Sequence, residues 1–398
     1  MKQIQEAYIV AATRTAVGKA RGVLSTTRPD DMLAEVIKAL MQKVPVIDKS
    51  KIDDVIIGCA MPEGAQGMNV ARIGLLLADL PESIPGVTVN RFCSSGLQTI
   101  AMAADKIRLG EADVIIAGGT ESMSMIPMGG FRYDANPKFF EHHGDYEAMA
   151  YSMGITAEKV AEKWQISREQ QDEFALASHQ KALMAIEKGW FKQEITPIEV
   201  TLKTPNLATD KIDSQTYAID IDEGPRKNST MEALANLRPV FNARGTVTAG
   251  NTSQMSDGAA VLMVVSEKIL KEYDLQPLAK FNAFAVAGVA PEYMGIGPVE
   301  AIPKCLKQAD LTLQDIDWIE LNEAFAAQSI AVMQQLKMDP GKVNPEGGAI
   351  ALGHPLGATG AIKATMALYG LQRTQQKYAM VTMCIGTGMG AAGILERC

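Results

Sequence analysis

Positive charge is in short supply in this chain, which carries 38 Lys and Arg against 46 Asp and Glu, for a formal net charge of −8. Nucleic-acid binding needs Lys and Arg gathered on one surface, so we expect no nucleic-acid partner. Long apolar runs are also missing, because none approaches the roughly 18 residues that a membrane-spanning helix needs. We therefore expect no insertion into a membrane.

Cysteine and histidine are scarce too, with 5 and 4 residues among 398. An odd number of Cys without a CxxC pair does not predict a disulfide framework. The sequence has no HExxH pattern, no clustered Cys and His spacing, and neither a GxGxxG fingerprint after its first strand nor a GxxxxGK phosphate loop. These absences predict a protein without a metal site and without a redox cofactor.

Targeting signals are not evident in the sequence. Residues 7–12 already have the pattern of a strand, with no signal peptide and no Arg- and Ser-rich transit segment. The last four residues, 395–398, do not match a peroxisomal Ser-Lys-Leu address. We therefore expect a reduced, cytoplasmic location.

What the chain does contain is an alternation of strand-like and helix-like segments. Residues 54–58 and 113–118 are typical of short buried strands, and residues 95–109 have the pattern of a helix rich in small side chains. Apolar residues at helical spacing also follow Asp30, which the pattern predicts as an N-cap. This alternation predicts an α/β fold with a mostly parallel sheet covered by helices.

The two ends of the chain resemble each other. Residues 315–321 are similar to 51–57, and a glycine-containing helix start follows each at a similar distance, at Cys93 in one and at His354 in the other. We predict an internal duplication, with one half at 1–120, completed by about 251–272, and the other at 273–398.

Residues 121–250 differ in amino-acid composition from both halves. They are richer in Met, Lys, Asp and Pro, and they contain a capping box, Ser167 with Gln170, at the start of a clear helix. A segment with structured helices is more than a linker. The sequence therefore predicts an inserted loop domain at 121–250.

Four positions could carry chemistry. Cys93 stands where a β-rich run changes into a helix, and a helix N-terminus favours a thiolate. His354 lies in the glycine-rich stretch 347–360, which predicts a tight turn, and the pattern of a helix follows from residue 361. Cys384 follows a strand into a glycine-rich loop whose N–H groups could form an oxyanion site. Asn322 and Glu323 stand at a strand end entering a helix.

Each of these positions has a plainer interpretation. Cys93 could be an inert buried thiol, and His354 a turn residue that caps the next helix. The loop after Cys384 could hold a phosphate, and Asn322 with Glu323 could be an N-cap and a first-turn acid. Cys59, Cys305 and Cys398 are interpreted as inert, and a surface or core role is favoured for the remaining histidines, at positions 142, 143 and 179.

Taken together, the segments resemble the thiolases, and among them the degradative 3-ketoacyl-CoA thiolases, along nearly the whole chain. The similar stretches are NRFCSSG (90–96), GGTESMS (118–124), TAGNTSQMSDG (248–258), NEAFA (322–326), GHPLGATG (353–360) and CIGTGMG (384–390). The resemblance implies a five-layered α/β sandwich of two βαβαβαββ halves, with a loop domain that covers the CoA site.

The resemblance also implies roles for individual residues. Cys93 would be the acylated nucleophile, His354 the base that activates it, and Cys384 the second acid/base. Asn322 would hold a water that forms one oxyanion site with His354, and the N–H groups of Cys93 and Gly386 would form the other. Coenzyme A would be a substrate, and no cofactor is implied.

Further positions match the family's CoA site. Ser253 would lie near the pantetheine arm and Arg226 near the nucleotide end, while Met153 and Phe325 would line an apolar pocket. The sequence departs from some biosynthetic relatives at Ser152, where those have a histidine, and this difference favours the degradative subgroup.

The activity implied is CoA-dependent cleavage of a 3-ketoacyl-CoA in fatty acid β-oxidation, with ping-pong kinetics. The alternatives are a biosynthetic acetyl-CoA C-acetyltransferase, a ketoacyl synthase-like condensing enzyme, which would lack the second cysteine, and a non-catalytic acyl-CoA- or lipid-binding relative. A homodimer or homotetramer is expected, and a β-oxidation complex with a hydratase/dehydrogenase subunit stays open.

Overall fold

The computed structural model describes residues 4–141, 146–206 and 208–398, so that the histidines at 142 and 143 lie outside it. The strands are β1 (Ala7–Arg14), β2 (Gly18–Lys19), β3 (Asp54–Gly58), β4 (Gly86–Val89), β5 (Val114–Ser122), β6 (Ile198–Asn206), β7 (Lys211–Ile219), β8 (Ser256–Ser266), β9 (Ala279–Gly288), β10 (Trp318–Leu321), β11 (Tyr378–Ile385) and β12 (Met389–Arg397). The helices are α1 (Pro29–Lys43), α2 (Val70–Leu77), α3 (Ser95–Arg108), α4 (Met153–Lys163), α5 (Arg168–Glu187), α6 (Met231–Ala235), α7 (Glu267–Glu272), α8 (Gly297–Ala309), α9 (Ala326–Leu336), α10 (Ala349–Leu352) and α11 (Leu356–Thr374). Within these described ranges no helix is long and apolar enough to cross a bilayer.

One mixed sheet contains most of the strands, in the order β10-β11-β12-β9-β1-β8-β5-β3-β4, with β2 beside β8. In the C-terminal part, β10 and β11 are parallel, while β12 and β9 continue antiparallel. In the N-terminal part, β3 and β5 are parallel, while β8 and β1 continue antiparallel. The same strand order thus occurs twice, as the duplicated pattern of the sequence predicts. The prediction of a mostly parallel sheet was wrong, because β1, β8, β9 and β12 pair antiparallel with their neighbours. Among the described residues, two residue pairs between β1 and β9 join the two parts of the sheet.

The helices cover both faces of each part of the sheet. Successive residues of a strand point to opposite faces, so Ile115 and Leu262 pack into a central cluster with α3 and α11, whereas Ile116 and Val261 pack outwards against α1 and α2. In the C-terminal part, Met380 faces outwards to α8 and α9. The layers are therefore helix, sheet, helix, sheet, helix, with α3 and α11 in the middle.

The two central helices meet through glycine at their starts. A Cβ added to Gly96 in α3 would lie 2.8 Å from the backbone nitrogen of Ala361, and one added to Gly360 in α11 would lie 2.2 Å from that of Leu97. No side chain fits at either position, so the first turns of the two helices touch backbone to backbone. Cys93 and His354, which directly precede these turns, are brought to the same place by this contact.

Helix boundaries differ from the sequence pattern at two places. Helix α1 begins at Pro29 with Arg28 as its N-cap, so the prediction of Asp30 as the cap was wrong. Proline fits the first helical position because its missing N–H has no partner there. The sequence pattern indicated a helix only from residue 361, but α11 already begins at Leu356, since glycines that suggest a turn serve instead for close packing.

Residues 121–250 contain α4, α5, α6 and the antiparallel pair of β6 and β7. The predicted capping box on α5 is present, with Ser167 and Gln170 each bonding the other's backbone. A buried ion cluster attaches this segment to β1: Arg14 Nη1 lies 2.7 Å from Asp222 Oδ1, and Arg14 Nε lies 2.8 Å from Glu194 Oε1. Whether 121–250 is a domain of its own, with the halves bounded as predicted, stays a prediction.

Candidate active site

Cys93 lies in a single 3₁₀ turn, Phe92–Ser94, between β4 and α3. Phe92 has φ of 44°, in the left-handed region that non-glycine residues rarely adopt. The turn is held from both sides, because Asn90 Oδ1 accepts the Phe92 N–H at 2.8 Å and Ser95 Oγ accepts the Arg91 N–H at 2.8 Å. These bonds maintain a strained turn that carries a half-buried thiol.

The Cys93 sulfur faces backbone donors. Burial raises the pKa of the Cys93 thiol to about 11, while the N–H groups of Gly386 and of Cys93 itself favour the thiolate. Gly386 comes close because its loop, between β11 and β12, packs against the same turn: a Cβ on Gly386 would lie 3.7 Å from Phe92 Cδ2. Cys93 is thus a thiol at neutral pH, and it would need a base to become a nucleophile.

The second thiol, Cys384, is buried near the end of β11. The turn of Cys93 packs against β11, which brings the two cysteines into one neighbourhood. Burial raises the pKa of Cys384, and a thiolate at Cys93 would raise it further. Cys384 packs in an apolar cluster with Met153 and Phe325, the two residues expected to line a pocket. Both predicted pocket residues therefore lie beside the predicted acid/base.

His354 is buried between α10 and α11, and its ring has two partners. Nδ1 lies 2.7 Å from Thr359 Oγ1, and Nε2 lies 3.3 Å from Asn322 Nδ2. Because an amide nitrogen can only donate, this assignment leaves the lone pair on Nε2 and the proton on Nδ1. Burial, aided by the positive charge of Lys363, lowers the pKa of His354 to about 3, so the imidazole is neutral and can act as a base.

Asn322 follows β10 directly, and its backbone N–H donates to Thr382 in β11 at 2.9 Å. Its side-chain oxygen is buried and has no hydrogen-bond partner among the described residues. Buried polar atoms are almost always satisfied. This amide therefore has the capacity to bind one further donor, such as a water molecule, next to His354.

Glu323 does not face the two cysteines. Its carboxylate accepts hydrogen bonds from Ser178 Oγ at 2.7 Å, Asn344 Nδ2 at 2.8 Å and the Ile350 N–H at 3.2 Å. Burial raises its pKa, and these donors oppose that shift. Glu323 thereby links the glycine-rich segment before His354 to α5 through hydrogen bonds, and its role is structural.

Arg226 lies on the rim of a separate cavity of about 280 Å³. The side chain of Arg226 is exposed, while its backbone N–H donates to His179 Nδ1 at 3.2 Å. Ser253 does not belong to the residues that line this cavity; it lies beside it, bonded through its N–H to the Ala324 carbonyl at 3.0 Å. The cavity is bounded by His179, Arg226, Asn228, Ser229, Ala233, Leu234, Leu237, Ala249, Gly250, Gln254 and Ile350.

Three residues near the site carry no obvious signal in the sequence. Thr359 is one of many threonines, and only its place five residues after His354 could have suggested the contact. His179 is buried on α5, in keeping with a core role, and it also lines the cavity beside Arg226. Gln254 connects His354 to the cavity at Arg226, because its carbonyl accepts the His354 N–H at 3.1 Å and the residue lines the cavity.

Comparison with known families identifies the class of protein. The family model "Thiolase, N-terminal domain" matches residues 7–268, and "Thiolase, C-terminal domain" matches residues 275–397. The chain belongs to the thiolase family, and it is an acyltransferase of that family.

Individual relatives carry different names. The chain is 51% identical over 396 residues to the 3-ketoacyl-CoA thiolase of Bacillus subtilis, covering 99% of this chain and 100% of the relative. It is 44% identical to a beta-ketoadipyl-CoA thiolase of Acinetobacter baylyi, covering 99% and 100%. The crystal structure of the Bacillus anthracis acetyl-CoA acetyltransferase superposes with a TM-score of 0.88 at 37% identity, covering 100% of both chains.

Proposed function

We propose that this protein is a 3-ketoacyl-CoA thiolase, which cleaves a 3-ketoacyl-CoA with CoA to acetyl-CoA and an acyl-CoA two carbons shorter. The observation that carries the proposal is the meeting of two thiols with a neutral imidazole: Cys93 and Cys384 are neighbours, and His354 lies at the adjoining helix start. The 51% identity to a 3-ketoacyl-CoA thiolase supports the choice of substrate.

In the first half-reaction the Cys93 thiol loses its proton to His354 and attacks the 3-keto carbon. The low pKa of the free imidazole rises as the thiolate and the substrate oxyanion form beside it, because nearby negative charge stabilises the imidazolium. The bond between the α-carbon and the 3-keto carbon then breaks, which leaves an acyl group on Cys93 and the enolate of acetyl-CoA.

Cys384 donates a proton to that enolate. The raised pKa of Cys384 keeps it in the thiol form, which is the form that a general acid needs. In the second half-reaction the Cys384 thiolate takes the thiol proton of CoA, and the CoA sulfur attacks the acyl group on Cys93. The bond to the Cys93 sulfur breaks, the shortened acyl-CoA leaves, and Cys93 takes back its proton from His354. Dividing the reaction at a covalent intermediate predicts ping-pong kinetics.

Two oxyanion sites follow from the donors around these residues. The N–H groups of Cys93 and Gly386 would stabilise negative charge on the thioester oxygen of the acyl group. A water bound to the unsatisfied amide of Asn322, together with His354, would stabilise the other oxyanion. We propose that coenzyme A lies across the 280 Å³ cavity, with Arg226 at its phosphates and Ser253 at the pantetheine arm.

The similarity to the Bacillus anthracis acetyl-CoA acetyltransferase favours a second candidate, a C4-specific enzyme that also condenses two acetyl-CoA molecules. A series of 3-ketoacyl-CoA substrates from C4 upward, compared by kcat/KM and product mass, separates the two. Rising or level kcat/KM beyond C4 supports the 3-ketoacyl-CoA thiolase, whereas activity confined to acetoacetyl-CoA supports the acetyltransferase. Binding of the substrates without cleavage products would overturn both.

The location of the acyl group is a separate test. The enzyme is incubated with acetyl-CoA, digested, and the acylated peptide identified by mass. An acyl group on Cys93 supports the assignment, and one on Cys384 with Cys93 free would overturn it.

We further propose that the enzyme is cytoplasmic, that it uses no metal or redox cofactor, and that it is at least a dimer. Light scattering at micromolar concentration that shows only a 42.7 kDa species would contradict the dimer.

A further inference from the structure

Glu121 is a buried carboxylate that the reaction does not use. It is the last residue but one of β5 and is 1% exposed. Within the described part of the chain it forms no ion pair with Lys or Arg. Burial raises its pKa, and hydrogen-bond donors oppose that shift. A buried carboxylate is costly unless such donors compensate its lost hydration, so the identity of the donors is informative.

The donors come from two distant parts of the chain. The N–H groups of Ala60 and Met61, in the loop after β3, lie 2.7 and 3.2 Å from the two carboxylate oxygens. The N–H of Gly357, in the first turn of α11, lies 2.8 Å from Oε2. Gln66 also donates to Oε1. One oxygen, Oε2, thus accepts from both the N-terminal loop and the C-terminal helix.

The N-terminal donor is connected to the nucleophile. The Ala60 carbonyl accepts a hydrogen bond from Asn90 Nδ2 at 3.0 Å, and Asn90 Oδ1 accepts the N–H of Phe92 at 2.8 Å. Phe92 is the strained residue directly before Cys93. A displacement of Ala60 would therefore be transmitted through one amide side chain to the turn that carries the thiol.

The C-terminal donor is connected to the base. Gly357 follows His354 by three residues and lies in the same helical turn as Thr359, which binds His354 Nδ1. A carboxylate at this helix start is also favoured by the partial positive charge of the N-terminus. Glu121 therefore fixes the turn on which the orientation of the imidazole depends.

We propose that Glu121 is a positioning residue that sets the turn of Cys93 at its working distance from the turn of His354. The inference rests on the proposed function, in which these two residues are nucleophile and base. The carboxylate is required because all its partners are donors. A glutamine of the same shape has only one acceptor oxygen, and its amide group would face at least one N–H that it cannot accept.

The test uses Glu121→Gln, with Glu121→Asp as the variant that keeps the charge. Small misplacements of reacting groups cost about 10²-fold in rate, so Glu121→Gln should lower kcat by about that factor and Glu121→Asp should recover part of it. KM for CoA should stay within about two-fold, because Glu121 is not among the residues that line the cavity at Arg226. Alkylation of Cys93 by iodoacetamide should be no slower, since the negative charge of Glu121 opposes the thiolate.

Glu158→Gln is the matched control. Glu158 is also a buried glutamate with backbone donors, the N–H groups of Thr246 and Val247 at 2.9 and 3.0 Å, but it contacts neither catalytic turn. It should lose comparable thermal stability and keep kcat within about three-fold. If Glu121→Gln folds poorly, Asn90→Ala cuts the same connection one step away, and it should lower kcat with KM for CoA unchanged.

A kcat within three-fold of wild type in both Glu121→Gln and Asn90→Ala overturns the inference. So does a joint loss of kcat, CoA affinity and Cys93 alkylation that Glu121→Asp does not improve, because that pattern is general damage. Failure of the proposed function would be seen separately, in the wild-type enzyme, as absence of an acyl group on Cys93.

Discussion

Thr359 holds the imidazole of His354 from the side opposite Asn322, with 2.7 Å between Thr359 Oγ1 and His354 Nδ1. The two residues are five positions apart, and the turn between them is the first turn of α11. The first turn of α11 thus joins the proposed base to the residue that orients it, and this turn lies against the helix that follows Cys93.

Removal of this hydroxyl should therefore slow the reaction without affecting substrate binding. Losing one buried hydrogen bond costs about 1–3 kcal/mol, so Thr359→Val should lower kcat by about 10- to 100-fold and leave KM nearly unchanged. Thr359→Ser should restore most of the rate. Thr365→Val is the control, because Thr365 is buried on the same helix and its hydroxyl donates to the Ala361 carbonyl at 2.9 Å rather than to His354. A Thr359→Val enzyme within two-fold of wild type would contradict the role.

The two cysteines should be separable by substitution. Cys93→Ala removes the covalent intermediate and should abolish both half-reactions. Cys384→Ala should lower cleavage of acetoacetyl-CoA by about 10²- to 10⁴-fold, the usual contribution of a general acid. It should still allow labelled acetyl transfer from acetyl-CoA to Cys93, since that step needs no proton at the α-carbon. Near-normal cleavage by Cys384→Ala, or a covalent acyl group in Cys93→Ala, would contradict this division.

Arg226 should affect CoA binding alone. Its side chain is exposed at the cavity rim, where an interaction with phosphate is screened by salt. Arg226→Ala should raise KM for CoA several-fold at low ionic strength, less at high ionic strength, with kcat nearly unchanged. Arg244→Ala removes an exposed positive charge away from the cavity and serves as the control. A large fall in kcat with unchanged KM would show that the assignment is wrong.

His179 should make stability depend on pH. Burial, with a contribution from the Arg226 charge, lowers its pKa to about 4 in the folded protein, against about 6.5 in an unfolded chain. Below pH 6.5 the unfolded chain takes up a proton that the folded protein does not. Stability therefore falls between pH 6.5 and 4, by at most about 1.4 kcal/mol per pH unit, and is unaffected above pH 6.5.

The measurement is denaturant unfolding at fixed protein concentration, at pH 7, 6 and 5. His354 contributes in the same direction, as do other groups, so the comparison is with His179→Asn. The variant should lose less stability than wild type on going from pH 7 to 5. Parallel profiles would contradict the buried, neutral state of His179.

The sequence predicted the elements whose signals are local, and missed contacts that depend on how distant segments meet. The strands predicted at 54–58 and 113–118 and the repeated order of the halves follow from runs of apolar residues. The start of α11 was misjudged because glycine usually breaks a helix. Gly360 is required by the contact with α3, and Gly357 by the close approach of Cys59 and Ala60 after β3. The hydrogen-bond partners of His354 are Thr359 on α11 and Asn322 at the end of β10. Their distances along the sequence do not show that they meet at one imidazole ring.

The ion cluster of Arg14 with Glu194 and Asp222 bears on how substrate preference can change within such a scaffold. Breaking a buried pair of this kind costs about 3–5 kcal/mol, and both carboxylates belong to residues 121–250, whereas Arg14 belongs to the central sheet. These ion pairs hold Glu194 and Asp222 of this segment against the sheet, so moving that part of the segment would require breaking them. We therefore expect changes in the accepted acyl chain length to come first from exchange of single residues beside Cys384, such as Met153.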